Sequence, residues 1–281
     1  MSKTQLICEK DLNRNQPEPD TGDHLSMKKT TKTPVPRSID SPALSEVSWK
    51  AADGSSHSAI ATSRLLDNEL YLAKKMRTGN RYPKQRNYHG HNWFGNTQQQ
   101  IWFESLFERH ALLWLDHTRD IVAIACQPMM MTFRDGSEHT PDFVALHSNH
   151  TQVVYDVKPS RLIPKAQAQF DKTAELCRTV GWGYEVLSDL PRQLDINLDW
   201  IASFRQPRFA ASPDETQLLL DALRTPLALG EAAALLPALT GKPAIYNLVW
   251  MGQLHLDLNS LLSNSTLIST LSSKETSHAH A

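Results

Sequence analysis

The stretch from His139 to Arg161, HTPDFVALHSNHTQVVYDVKPSR, constrains the fold more than any other. Two short apolar runs, FVAL and VVY, flank the polar turn SNH, which is the pattern of a β-hairpin. Yet this hairpin carries Asp142, Asp156 and Lys158, residue types that apolar strands rarely bury. In a strand, residues i and i+2 share a face, so Asp156 and Lys158 point together while Tyr155 and Val157 point to the opposite, apolar side. Asp142 opens the first strand, where the hairpin brings it beside Asp156. Two carboxylates held together repel, and each rises in pKa. A divalent cation removes that conflict. Mg²⁺ takes oxygen ligands and is commonly held by a couple of carboxylates plus substrate phosphate. Lys158 beside them can orient or deprotonate an attacking water and offset charge on a scissile phosphate. The spacing predicts a metal-dependent phosphodiesterase site, against the simpler alternative of a surface hairpin with a cross-strand ion pair.

A third carboxylate is expected from the preceding helix. Residues 97 to 116, TQQQIWFESLFERHALLWLD, show apolar residues near the helical period, with Thr97 as a candidate N-cap. Glu104 and Glu108 then stand at i and i+4 on one face, and periodicity does not choose between them. IVAIACQP (121–128) and MMMTF (129–133) read as strands, followed by a turn at Arg134-Asp135-Gly136. AQAQFDKTAELCRTVG (166–181) reads as a helix closed by Gly181, and WGYEVLSD (182–189) as another strand. Helix, strands, helix and strand in that order make an α/β layer on a mixed sheet.

The flanks differ. Residues 1 to 60 are rich in Ser, Thr, Pro, Asp and Lys and poor in bulky apolar residues, so a mostly disordered segment is expected. RLLDNELY (64–71) has a weak helical pattern. Lys74, Lys75, Arg77, Arg81, Lys84 and Arg86 then follow without an intervening acid, with Tyr82 and Tyr88 interleaved. Because the net charge of the whole chain is −1, any case for nucleic acid is local, and this basic arm is its best candidate for tracking phosphates. After Pro207, Ser212-Pro213-Asp214-Glu215 is a capping signal with Pro at the first helical position. Two short helices (227–237 and 242–253) and two strands (254–258 and 266–271) follow, as in a small winged-helix-like module. The expected domains are thus 1–60, 61–206 and 207–281.

Several classes are set aside. Cys8, Cys126 and Cys177 lack CxxC spacing, which supports neither a disulfide framework nor a zinc site and fits a reducing cytoplasm. No run approaches the roughly 18 apolar residues of a membrane span, and the first residues lack the apolar stretch of a secretory signal. His89 and His91 invite a zinc assignment, but with no further ligands nearby they read as polar loop residues or phosphate contacts.

The order of a helical glutamate, Pro141-Asp142 and Asp156-x-Lys158 resembles the PD-(D/E)xK nucleases, with their restriction-endonuclease-like fold of a mixed sheet flanked by helices. Within them the chain is most similar to the TnsA-like endonuclease subunits of heteromeric transposases. The likeness rests on FESLFERHALLWLDHTRDIVAIACQP, HTPDFVAL and VVYDVKP, and covers about residues 93 to 271. It implies that Glu108, Asp142 and Asp156 hold Mg²⁺, with Mn²⁺ able to substitute, and that Lys158 is catalytic. The aspartate at 156 departs from the Glu or Gln common in relatives and shortens that side chain by one methylene. Glu104 then becomes a candidate to support the ligands and Gln127, before Pro128, a candidate to hold the strand or position phosphate; His139, just before Thr140-Pro141-Asp142, could also stand near the metal or serve a structural role. The resemblance further implies double-stranded DNA at mobile-element ends as substrate, cut at the 5′ ends. The implied partners are an integrase-like transposase subunit and an ATP-dependent regulator that contacts the C-terminal module. Two other readings stay open: a stand-alone nuclease of restriction or repair, and an inactive nuclease fold serving as a DNA-binding or assembly adaptor.

Overall fold

The computed structural model describes residues 44–76 and 88–270. Arg77, Arg81, Lys84 and Arg86 of the basic arm lie outside these, as do residues 1–43 and 271–281.

The chain opens with β1 (Glu46–Lys50) and β2 (Ser56–Ile60). Short 3-10 turns at Ser63–Asp67 and Leu70–Leu72 lead to β3 (Gly90–Phe94) and β4 (Gln99–Phe103), and then to helix α1 (Leu106–Thr118). Strands β5 (Ile121–Cys126), β6 (Met129–Thr132), β7 (Glu138–His139), β8 (Phe143–His147) and β9 (Gln152–Val157) follow. After α2 (Ile163–Val180), β10 (Gly183–Leu187) and α3 (Arg192–Ala202), the chain continues with α4 (Pro213–Ala222), β11 (Leu227–Ala228), α5 (Leu229–Ala233), α6 (Gly241–Trp250), β12 (Leu254–Leu256) and β13 (Leu267–Thr270). The architecture is mixed α/β.

The central sheet runs β10-β9-β8-β5. Strand β9 pairs antiparallel with β8 and parallel with β10, and α2 makes the crossover between the parallel pair. As an inner strand, β9 is covered on both faces. Tyr155 and Val157 pack with Phe143, Leu112 and Phe103, whereas Val154 packs with Leu176 and Cys177 of α2. Burying one such side chain contributes about 1.5–3 kcal/mol, so the register of β9 is strongly fixed. Gly181 ends α2 at φ 98, where the missing Cβ permits the left-handed cap expected of it.

Two expectations change. Residues 46–60 form a hairpin whose first strand buries Val47 and Trp49 and pairs with Met129 and Met131 of β6. The alternation in EVSWK becomes a strand because a distant edge is there to receive it. The helix begins at Leu106 rather than Thr97, with Ser105 as its N-cap, its hydroxyl accepting from the Glu108 N–H at 3.1 Å. Residues 99–103 pair with β3 instead, burying Ile101 and Phe103 and leaving Trp102 on the other face. The apolar run IWF obeys the period of two, and Ser105 sets the boundary.

The C-terminal part packs α3 to α6 with the three-stranded antiparallel sheet β11-β13-β12 around one cluster that includes Leu198, Leu219, Ile245 and Trp250. Ser212 and Glu215 form the expected reciprocal capping box on α4. Gly241 opens α6 so close to α5 that a Cβ there would meet the Ala233 carbonyl oxygen at 2.2 Å.

Candidate active site

Hairpin register places Asp142 opposite Asp156, because the pair Phe143↔Tyr155 immediately precedes them on the ladder. The Asp142 N–H donates to the Tyr155 carbonyl at 3.1 Å, and its own carbonyl accepts from Gln127 N–H at 2.8 Å. Asp142 Oδ2 accepts from the Val157 amide at 2.7 Å. Burial, followed by the nearby Glu108 and Asp156 carboxylates, pushes the Asp142 carboxyl well above the ordinary carboxylate range. The Val157 amide and Lys158 offset part of this. Lys158 lies just beyond β9, where its N–H donates to the Leu187 carbonyl at 2.9 Å. Among the described residues its ammonium makes no hydrogen bond or ion pair.

Glu108 sits in the first turn of α1, half-buried. Its Oε2 accepts from the Glu104 N–H at 2.7 Å and its Oε1 from the Ser105 hydroxyl at 2.9 Å. Burial raises its pKa, and these bonds counter the rise. Glu104 is not on the helix; it follows β4, so the i, i+4 stacking expected of the two glutamates does not form. Glu104 instead pairs with Lys75 at 2.7 Å. Between the two glutamates, Glu108 is the one that crowds Asp142.

Asp156 is only 2 % exposed, and its oxygens are engaged. His139 Nε2 stands 2.9 Å from both of them, and the Tyr184 hydroxyl donates to Oδ2 at 2.6 Å. The Gln169 amide donates to His139 Nδ1 at 2.6 Å, which leaves the proton on Nε2 to be donated to Asp156. A charge buried this deeply is tolerated because its partners saturate it. His139 therefore touches the Asp156 carboxylate, joined by Tyr184 and, through its ring, Gln169, neither of which the sequence singled out. They come from β10 and α2, and only the crossover brings them under β9.

Gln127 is 4 % exposed and adopts φ 44, which is uncommon for a residue with a side chain. Its N–H holds Asp142 and its carbonyl accepts from Met76 N–H at 2.8 Å, so it joins the base of the basic arm to the strand of Asp142. Its buried Oε1 has no hydrogen-bond partner among the described residues. Of the arm's described lysines, Lys75 reaches the site through Glu104, whereas Lys74 lies beside Asp53 at the β1–β2 turn.

The structure thus gathers Glu108, Asp142, Asp156 and Lys158 at one end of the central sheet. Among the described residues, no group of three or more His, Cys, Asp and Glu side chains is arranged to hold a metal ion. No helix of the described residues is long and apolar enough to cross a membrane. No known family model matches the chain, and no curated protein matches it.

Proposed function

We propose that this chain is a Mg²⁺-dependent endodeoxyribonuclease, the subunit of a heteromeric transposase that hydrolyses phosphodiesters at the 5′ ends of a mobile element. The observation that carries the reading is the crowding of Asp142 by Glu108 and Asp156 beside Lys158, whose ammonium makes no ion pair among the described residues. An arrangement that raises a carboxyl pKa opposes stability, and such costs concentrate at functional sites. The donor set is all oxygen, which suits Mg²⁺ or Mn²⁺. Glu108 and Asp142 would hold the cation, with Asp156 contributing its charge behind them. When bound, the ion supplies Lewis-acid stabilisation of charge developing on the phosphate. Lys158 places a positive charge at the same end of the sheet and orients the scissile phosphate. The Val157 amide and the Gln127 turn hold Asp142 in place. Asp156, fixed by His139 and Tyr184, sets the field at Asp142. The C-terminal helices and three-stranded sheet, read as a winged-helix-like module, would contact the ATP-dependent regulator, and an integrase-like subunit would act at the 3′ ends.

The test is cleavage of labelled duplex carrying candidate element ends with Mg²⁺ or Mn²⁺, with and without the partner transposase. Cutting at 5′ ends that needs the partner and vanishes in Asp142→Ala supports the proposal. Cutting without a partner points to a stand-alone nuclease. One observation favours a second reading, an inactive adaptor on a nuclease fold: the saturation of Asp156 by His139 and Tyr184. Identical behaviour of wild type and Asp142→Ala would decide for the adaptor.

A further inference from the structure

We propose that the outer edge of strand β10 is a docking site where a partner protein adds an extended, basic segment to the central sheet. β10 ends the sheet order, with β9 on one side and no strand of the described residues on the other. The Leu187 carbonyl faces β9, where it accepts from the Lys158 N–H. Main-chain groups alternate in direction along a strand, so those of Tyr184 and Val186 turn outward. Among the described residues, the N–H and carbonyl groups of these two have no hydrogen-bond partner. The opposite edge of the sheet is treated differently, since β5 lies against β4 and the turn at Leu70–Leu72. An open edge pairs with an extended chain that reaches it.

A hollow of about 250 Å³ lies along this edge, between β10 and α1. Phe107, Ala111 and Trp114 give it apolar walls, and Glu185, Asp189 and Asp195 give it carboxylates. None of its described lining residues is Lys or Arg. The three acids keep capacity for a further partner. Asp189 is exposed and accepts only from Ser160, and Asp195 meets a histidine, His110, at 2.6 Å. Glu185 pairs with Arg119 at 3.2 Å in a contact open to solvent on both sides, where such pairs are weak. A carboxylate has about four acceptor sites, more than any of these neighbours fills.

These features select one occupant. Outward main-chain donors and acceptors call for an extended backbone, and every second side chain of that backbone then points toward the hollow. The side chain that fits has an aliphatic stem to lie on Phe107 and Trp114 and a cationic head for the carboxylates, which describes Lys or Arg. A second copy of the same edge does not fit, because pairing β10 with β10 would set the Glu185 and Asp189 carboxylates of the two chains against each other. The inference stands apart from the nuclease reading. It touches the candidate site at one point: the Tyr184 hydroxyl donates to Asp156, so a docked segment would brace the strand that holds this carboxylate.

The experiment uses the full chain and a labelled peptide, Thr-Val-Arg-Val-Lys-Val-Thr, read by fluorescence anisotropy. Wild type should bind it, and the same peptide methylated at its backbone nitrogens should bind about tenfold more weakly or worse. That comparison needs no protein variant, so a folding defect cannot produce it. Joint replacement of Glu185→Gln and Asp189→Asn should weaken binding of the unmethylated peptide about fivefold, with the circular dichroism unchanged. Equal binding of the methylated peptide overturns strand addition. Equal binding of an acidic peptide, Thr-Val-Glu-Val-Glu-Val-Thr, overturns the basic occupant, as does unchanged binding in the doubly substituted protein. A dimer of the full chain that Val186→Pro dissociates would give the edge to a second copy and sink the proposal. No binding up to about 1 mM peptide overturns the site as a whole.

Discussion

The Val157 amide donates to Asp142 Oδ2 at 2.7 Å, so the backbone of the strand bearing Asp156 and Lys158 aims the carboxylate of the strand before it. The arrangement is built from main chain, which makes it rigid, and it holds Asp142 against two other carboxylates.

That crowding has a cost in the metal-free protein. An acid whose folded pKa is raised adds stability below its unfolded value, ordinarily 3.8, and loses it as pH rises through the folded value. Near neutral pH Asp142 therefore opposes folding. Asp142→Asn keeps an acceptor for Val157 and removes the charge. It should stabilise the protein by about 1 kcal/mol, a gain of about 2–4 °C in Tm, while abolishing cleavage. Calorimetry without metal checks this; a lower Tm would contradict it.

Metal affinity should follow the same protons. On the proposed reading, cation binding needs Glu108 and Asp142 ionised, and both hold protons to higher pH than their ordinary 4.5 and 3.8. Mn²⁺ affinity, measured by calorimetric titration, should still be rising above about pH 5, where free carboxylates have finished titrating. A flat profile there would mean that these groups are not the ligands.

The two glutamates should separate in kinetics. Glu108→Gln is expected to lower cleavage by about 100-fold or more, in the range seen when one preorganised charged group is lost. Glu104→Gln breaks the Lys75 pair and should cost a few-fold. Single-turnover rates on the same duplex decide, and equal losses would return Glu104 to the metal.

Asp156 makes a stability prediction. Tyr184→Phe removes one donor to a buried carboxylate and should cost about 1–3 kcal/mol. His139→Ala leaves the charge without its main partner and should cost about 3–5 kcal/mol. Urea midpoints would show the order, and a reversed order would mean that Tyr184 is the principal support.

Gly241→Ala should destabilise the C-terminal helices by about 1–3 kcal/mol, since a methyl group cannot fit 2.2 Å from the Ala233 oxygen. Thermal unfolding at neutral pH measures it; a Tm equal to wild type would show that α6 can shift freely.

Signals carried within a few residues were legible in the sequence. The Ser212–Glu215 box, the Gly181 cap and the hairpin with Asp142 opposite Asp156 each depend on local spacing, and each formed. The strand at 99–103 was hidden because IWF is apolar and leads directly into a true helix, so the longer pattern absorbed it. Strand β1 was hidden because Val47 and Trp49 mean little until Met129 and Met131 are beside them. Tyr184 and Gln169 were out of reach for the same reason. His139, Gln169 and Tyr184 meet only when β7, α2 and β10 converge.

Helix α1 bears Glu108 in its first turn, yet Leu113 belongs to the C-terminal core, and Arg109 and His110 pair with Asp199 and Asp195 of α3 at 2.7 and 2.6 Å. One helix is therefore common property of the carboxylate end of the central sheet and the C-terminal module. In evolutionary terms the two cannot be traded independently. A recombination that swapped the module for another would strip α1 of these contacts and loosen the hold on Glu108, so the halves are best inherited together.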